Sequence, residues 1–221
     1  MTARTDPQID VIIPCRDVDA YLSDAIGSAI DQEGVTTRVI VVDAGSVTPL
    51  VLAPEWATHE RVTLWRSEVG LLIGGARNAG LALAGAPYIS FLDADDLWLP
   101  ERSRVLLDAV SDGHIALGQI EHFSAGDTKL NVPEGLTPAL VAGGMLLTRA
   151  DFDRVGPFDD ELRAGEFIDW FNRARIAGLA TKIVPDIALR RRVHVASTTA
   201  SQVEARLDYI KVVRRWMTRN D

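Results

Sequence analysis

The chain has 221 residues, enough to bury a hydrophobic core, and its 47% hydrophobic and 24% charged residues are typical of an ordinary globular protein. The formal net charge of −8 argues against a surface that binds nucleic-acid phosphates. The single cysteine, Cys15, excludes an intrachain disulfide. No segment approaches the ~18 consecutive apolar residues of a membrane-spanning helix, and residues 1–7 are polar, unlike a signal peptide. We therefore expect a single cytoplasmic domain.

Strand-like and helix-like segments alternate over the first half of the chain. Runs of β-branched and apolar residues predict buried strands at 9–14, 38–42, 61–65 and 88–92. Apolar or small residues at helical spacing predict helices at 20–32 and 75–85. Strands that read as continuous apolar runs are typical of parallel sheets covered on both faces. The pattern predicts an α/β fold with a mostly parallel central sheet flanked by helices.

The pattern is looser after residue 111. It predicts a strand at 143–148, a helix at 165–178 and a strand at 188–195. A C-terminal helix is predicted at 201–221, with an apolar stripe flanked by arginines. Two interpretations of that helix stay open, because it could dock on the core or make peripheral contact with an anionic membrane. We therefore expect one domain with three parts, at about 8–110, about 111–200 and 201–221.

Polar clusters follow three of the predicted strands. Arg16 follows the first, Asp43 follows the second, and Asp93 begins an acidic cluster after the fourth. Ligands of open α/β sheets bind at the carboxyl ends of strands, so these clusters should form one site. Asp93 and Asp95 are two residues apart and could both reach one divalent cation. Oxygen ligands favour Mg²⁺ or Mn²⁺, which would neutralise a diphosphate leaving group.

Four segments resemble, in order and spacing, the motifs of family 2 glycosyltransferases. They are residues 11–17 (VIIPCRD), 39–46 (VIVVDAGS), 76–81 (ARNAGL) and 91–96 (FLDADD). A looser match continues through 143–148, 155–159 and 165–178. The resemblance implies the GT-A fold, with a nucleotide-sugar half at about 8–110 and an acceptor half at about 111–200. It also implies a nucleotide diphosphate-sugar donor and a Mn²⁺ or Mg²⁺ cofactor.

The resemblance also implies roles for individual residues. Asp95 would be the principal metal ligand, with Asp93 near the ribose and metal, and His194 would complete the metal site or contact the diphosphate. Strand alternation places Arg192 on the same side as His194, where it suits a phosphate contact, although a basic edge strand that discourages aggregation is an alternative. The predicted nucleotide-sugar contacts are Pro14, Arg16, Asp43, Arg77, Asp93 and Arg192.

The catalytic base is where the sequence departs from the family pattern. Inverting transfer needs a carboxylate that removes the acceptor proton. The family has this aspartate at the start of the helix at 165–178, where this chain has Phe167. We predict Glu166 as the base, with Asp169 as its rival. Glu166 could instead only favour the helix start through the helix dipole. A second departure is Ala44, where the family usually has another aspartate.

The sequence thus predicts an inverting, metal-dependent glycosyltransferase. Its acceptor could be a glycan, a lipid-linked molecule, a small molecule or a peptide. One alternative is a non-catalytic nucleotide-sugar-binding protein, which Phe167 and Ala44 would suit. Another is a sugar nucleotidyltransferase, which would need a glycine-rich loop with Arg and Lys where this chain reads PCRD at residues 14–17.

Overall fold

The computed structural model describes residues 8–17, 20–126, 131–194 and 212. Within these ranges the strands are Gln8–Cys15 (β1), Thr36–Asp43 (β2), Val62–Arg66 (β3), Tyr88–Phe91 (β4), His114–Ser124 (β5), Thr137–Pro138 (β6), Met145–Thr148 (β7) and Ala180–Val193 (β8). The α-helices there are Leu22–Ile30 (α1), Pro54–Ala57 (α2), Ile73–Leu83 (α3), Arg102–Ala109 (α4), Arg149–Val155 (α5) and Glu166–Ile176 (α6). Apart from Val212, the helix predicted at 201–221 lies outside the described residues. In the described ranges, no helix has the length and hydropathy to span a bilayer.

The strands form one sheet in the order β3-β2-β1-β4-β7-β5-β6, with β8 beside β5. Strands β1 to β4 run parallel to one another. Val11, Ile12 and Ile13 of β1 are fully buried, because helices cover both faces of this part of the sheet. The predicted α/β fold is confirmed, and the four predicted strands of the first half correspond to β1 to β4.

The second half makes the sheet mixed. Strand β7 runs antiparallel to both β4 and β5, whereas β8 runs parallel to β5. The prediction at 188–195 captured only the end of β8, which begins at Ala180. The first half of β8 is mostly exposed and contains Pro185, so it carries no apolar run. Its pairing with β5 shifts register after Leu117, which is where a proline is tolerated in an edge strand.

Two apolar layers cover the sheet. Helices α1 and α4 pack on the face that carries Val11 and Ile13, and helices α3, α5 and α6 pack on the face that carries Ile12. In the second layer the ring of Trp170 stacks on Phe152, with centroids 5.1 Å apart. This layer fixes the start of α6 beside α3, and both helix regions contribute to the site described below.

Gly80 allows α3 to approach the sheet closely. A Cβ atom at this position would overlap Ile12 and come within 3.1 Å of Val42, and both of those side chains are buried. By contrast, a Cβ atom on Gly75 of the same helix would lie 3.4 Å from Asp160, at an ordinary contact distance. Close packing of α3 on the sheet therefore requires glycine at position 80 but not at position 75.

We predict that Gly80→Ala lowers the free energy of unfolding by about 1–3 kcal/mol, because overpacking displaces α3 from the sheet. Gly75→Ala is the matched control and should be neutral or stabilising, since alanine is the better helix former. Urea unfolding monitored by circular dichroism measures both. Equal stability of the two variants would contradict the close approach at Gly80.

Candidate active site

The carboxyl ends of β1, β2 and β4 lie side by side because these strands are parallel neighbours. Cys15 pairs with Asp43 across β1 and β2, and the N–H of Ala44 donates to the Cys15 carbonyl at 2.8 Å. The next turn is joined as well, since the N–H of Asp17 donates to Ser46 Oγ at 2.9 Å. The predicted polar clusters therefore meet at one edge of the sheet.

Asp43 is fully buried and accepts three hydrogen bonds. Its carboxylate receives the N–H groups of Ser46 at 2.8 Å and Leu50 at 3.1 Å, and the guanidinium of Arg66 at 2.8 Å. Burial acts to raise the pKa of Asp43, but these hydrogen bonds and the Arg66 charge outweigh it and hold the pKa below its usual value. Asp43 thus orders the loop after β2 as an ionised carboxylate.

Arg66 was not among the predicted site residues, although its position offered a signal. It ends β3 and pairs in register with Asp43, so it occupies a strand end at the same edge. Its second nitrogen donates to the Ser46 carbonyl at 2.9 Å.

Of the predicted nucleotide contacts on and after β1, Pro14 is buried within the strand. The guanidinium of Arg16 is half-exposed and lies against Gly70, where a Cβ atom would come within 2.9 Å of it.

Arg77 joins the two halves of the chain. Its guanidinium is 4% exposed, donates to Asp93 at 2.8 Å and also donates to Glu166, 89 residues away in sequence. It lies over the ring of Phe158 as well, 5.7 Å from the centroid. Burial acts to lower the pKa of Arg77, but the two carboxylates outweigh this and raise it. Arg77 is therefore a charged link between the acidic cluster after β4 and the start of α6.

The side chains of Asp95 and His194, both predicted metal ligands, are in contact. His194 Nε2 lies 2.9 Å from Asp95 Oδ2, and the imidazole packs on Tyr21 with ring centroids 5.3 Å apart. No group of three or more His, Cys, Asp or Glu side chains within the described ranges is arranged to hold a metal ion. The carboxylate of Asp93, the other predicted ligand, accepts from Arg77 instead. The carboxylate of Asp95 is the type of ligand that Mn²⁺ or Mg²⁺ prefers, and such an ion would share its other positions with phosphate oxygens.

The end of β8 is held against the acidic cluster by backbone hydrogen bonds. Arg190 and Leu97 exchange two such bonds, at 2.9 and 3.0 Å, and the N–H of Arg192 donates to Asp96 Oδ1 at 2.9 Å. The side chain of Arg192 donates to the Asp95 carbonyl at 2.9 Å and reaches Asp24 at 3.2 Å. Arg192 therefore lies beside the metal-ligand candidates, with its nitrogens engaged by the protein.

The two candidate bases lie in different places. Glu166 and Asp169 are each 8% exposed, but only Glu166 contacts the acidic cluster, through Arg77. Asp169 pairs with Arg173 at 2.9 Å, and Arg173 in turn donates to carbonyls of the loop before α6. Phe167 is buried and stacks on Phe171. The geometry therefore favours Glu166 over Asp169 as the residue near a bound donor.

The family described as Glycosyl transferase family 2 matches residues 10–158. The chain belongs to this family. The match covers the strand ends that carry Asp43, Asp93 and Asp95 and stops before α6, so Glu166 and His194 lie beyond it. The resemblance predicted from the four motifs is confirmed.

Relatives and solved structures agree with this family assignment. Succinoglycan biosynthesis protein ExoO of Rhizobium meliloti (strain 1021) is 26% identical over 92% of this chain and 65% of its own length. The glucosyltransferase WfgD of Escherichia coli, named for UDP-Glc and α-D-GlcNAc-diphosphoundecaprenol, is 24% identical over 50% of this chain and 44% of its own. S. aureus TarS 1–349 in complex with UDP-GlcNAc superposes with a TM-score of 0.77 at 19% identity, over 94% of this chain and 64% of that one. The protein has the GT-A fold, and it spans less than two thirds of the length of these proteins.

Asp96 is an unusual carboxyl group in this family 2 site. It is 3% exposed and lies beside Asp93 and Asp95, so burial and the charge of its neighbours raise its pKa well above the usual value. Asp43 and Asp96 therefore have native pKa values displaced in opposite directions at the same edge of the sheet.

We predict opposite effects of pH at these two aspartates. Because the pKa of Asp43 is lowered, its stabilising contribution is complete above the unfolded pKa of about 3.9 and is lost as pH falls through the native value. Asp43→Asn should lower the free energy of unfolding by about 1–3 kcal/mol at neutral pH, and this difference should shrink in acid. Urea unfolding at pH 7 and pH 3 checks this.

Asp96→Asn in metal-free buffer is the matched comparison. Because its native pKa is raised, ionisation of Asp96 costs stability above that pKa, and the cost disappears as pH falls towards about 4. The Asn variant should therefore exceed the wild type in stability near pH 8 and match it near pH 4. A variant less stable than wild type at pH 8 would contradict the pKa direction.

Proposed function

We propose that the protein transfers a sugar from a nucleotide diphosphate-sugar to an acceptor hydroxyl, with inversion and with a divalent cation. The observation that carries the proposal is the buried Arg77, which links Asp93 of the donor half to Glu166 of the second half. Membership of family 2 supports glycosyl transfer. The likeness to TarS, which has been crystallised with UDP-GlcNAc and with UDP, supports a nucleotide-sugar donor.

The donor would bind along the ends of β1, β2 and β4. Asp43 is ionised and buried, with its carboxylate held by its own loop, so it would shape the base and ribose pocket through that loop. Arg66 lies beside it and adds a fixed donor. Arg16 is half-exposed against Gly70 and can move onto the nucleotide. These side chains orient the nucleotide before any bond changes.

The diphosphate end would lie at Asp95 and His194, which would hold Mn²⁺ or Mg²⁺. When bound, the cation supplies a positive charge that stabilises the departing diphosphate. Arg192 would help to fix the position of Asp95, because its guanidinium donates a hydrogen bond to the Asp95 carbonyl. Asp93 would stay with Arg77 and face the ribose side of the donor.

Glu166 would act as the general base. Its carboxylate accepts a hydrogen bond from Arg77, which fixes the carboxylate beside the acidic cluster. In the transfer, the acceptor oxygen forms a bond to the anomeric carbon as its proton passes to Glu166. The bond from that carbon to the diphosphate oxygen breaks, and the nucleoside diphosphate leaves with the electron pair. Attack from the face opposite the leaving group inverts the anomeric centre.

The acceptor is proposed to be a glycan or a lipid-linked glycan. The names of relatives refer to succinoglycan, to teichuronic acid and to a diphosphoundecaprenol-linked sugar. These relatives cover this chain only in part or are longer than it, so their acceptors guide the choice of substrates to test. A screen of such acceptors with UDP-sugars is the direct experiment on activity.

We predict that nucleotide binding depends on metal through Asp95. UDP, GDP or dTDP should raise the melting temperature in Mn²⁺ but not in chelator, because a ligand of the native state stabilises it by mass action. Asp95→Asn should abolish the shift while the unliganded protein keeps its melting temperature. Asp108→Asn, an exposed acid on α4, is the control and should leave the shift intact. A full shift for Asp95→Asn in chelator would exclude this metal site.

We predict that Glu166→Gln reduces donor turnover by at least about a hundredfold, as loss of a general base does. Asp169→Asn is the matched control, because Asp169 is equally buried and also pairs with an arginine. Both variants should lose some stability, and only Glu166→Gln should lose turnover, measured as nucleoside diphosphate release. If Glu166→Gln bound UDP and turned over normally, another residue would be the base.

A further inference from the structure

Three consecutive arginines end β8, and the structure gives them different surroundings. Arg190 pairs with Glu121 at 2.7 Å, and Arg192 donates to Asp24 and to the Asp95 carbonyl. Both guanidinium groups also lie over the ring of Phe123, at 4.8 and 4.9 Å from its centroid. Within the part of the chain that the structure describes, the half-buried guanidinium of Arg191 has no hydrogen bond or ion pair.

The backbone fixes Arg191 at the acidic cluster. The residues on either side of it are bound to that cluster, Arg190 through Leu97 and Arg192 through Asp96. Alternation along the strand directs Arg191 away from Phe123, and its partner in register on β5 is His122. The charge of Arg191 lowers the pKa of His122 and acts in the same direction on Asp96. Arg191 therefore lies beside His122 in the sheet, between two residues that are bound to the acidic cluster.

His122 adds a second polar group without a partner. Its Nδ1 atom is buried and makes no hydrogen bond to any residue in the described ranges. Burial, and then the charge of Arg191, lowers its pKa, so the imidazole is neutral at pH 7. The pair therefore presents one positively charged guanidinium and one neutral imidazole.

We propose that Arg191 binds a phosphate group of a substrate at the edge of the acidic cluster. A guanidinium presents paired N–H donors that match two phosphate oxygens, and of the three arginines Arg191 is the one whose donors have no partner among the described residues. The inference rests on the proposed function. The phosphate could come from the donor diphosphate or from a phosphate carried by the acceptor, and the chemistry is the same.

Isothermal titration of the wild type, Arg191→Gln and Arg190→Gln tests the proposal. The probes are UDP with Mn²⁺, uridine as its phosphate-free counterpart, and inorganic pyrophosphate added to protein saturated with UDP. Arg190→Gln is the matched control, because its guanidinium already pairs with Glu121. Arg191→Lys, which keeps the charge but not the paired donors, should be intermediate.

If the phosphate belongs to the donor, Arg191→Gln should bind UDP about 10- to 100-fold more weakly, with uridine binding unchanged. If it belongs to the acceptor, UDP binding should be unchanged and pyrophosphate binding to the UDP complex should be lost. Normal binding of both phosphate probes by Arg191→Gln, or an equal loss in Arg190→Gln, would overturn the proposal.

Failure of the proposed function would give a different result from failure of the Arg191 proposal. A wild type that binds no nucleotide at all would contradict the nucleotide-sugar donor. Pyrophosphate titrated alone would then still test Arg191, since the expected binding depends only on that guanidinium. Loss of pyrophosphate binding in Arg191→Gln supports the phosphate site, and its retention overturns it.

Discussion

The buried guanidinium of Arg77 is the interaction on which the site depends. Asp93 and Glu166 are both acidic and would repel each other if they were brought together without it. The desolvation of Arg77 is offset by two charge-assisted hydrogen bonds, and the removal of either partner would leave an incompletely compensated buried charge. The end of β4, the helix α3 and the start of α6 are therefore fixed relative to one another by electrostatics as well as by packing.

Two electrostatic interactions act on Glu166. As the first residue of α6, it lies where the helix dipole favours a carboxylate. The structure shows that this position also places it on Arg77, so the helix start and the ion pair act on the same group. Phe167, at the position of the family's aspartate, is part of the apolar layer. A carboxylate there would be buried among aromatic rings, whereas Glu166, one residue earlier, contacts Arg77.

The sequence predicted the first half of the fold well because its information is local. Continuous apolar runs identify the parallel strands, and the acidic residues directly follow them. The second half was less predictable: β5 was not predicted, and the exposed beginning of β8 has no apolar pattern. The key contacts of the site, Arg77 with Glu166 and Asp95 with His194, join residues 89 and 99 positions apart. Periodicity carries no signal for such pairs. The family resemblance pointed to Asp95 with His194, and nothing in the sequence predicted the contact of Arg77 with Glu166.

The end of β8 belongs to the same cluster of polar residues as the strand ends of the first half. It exchanges backbone hydrogen bonds with Leu97, fixes Asp96 and positions His194 against Asp95. Any shift of β8 along β5 would move the imidazole and the three arginines together, because they share one strand. The Asp95–His194 pair, which joins the two halves of the chain, is therefore positioned by a single strand end.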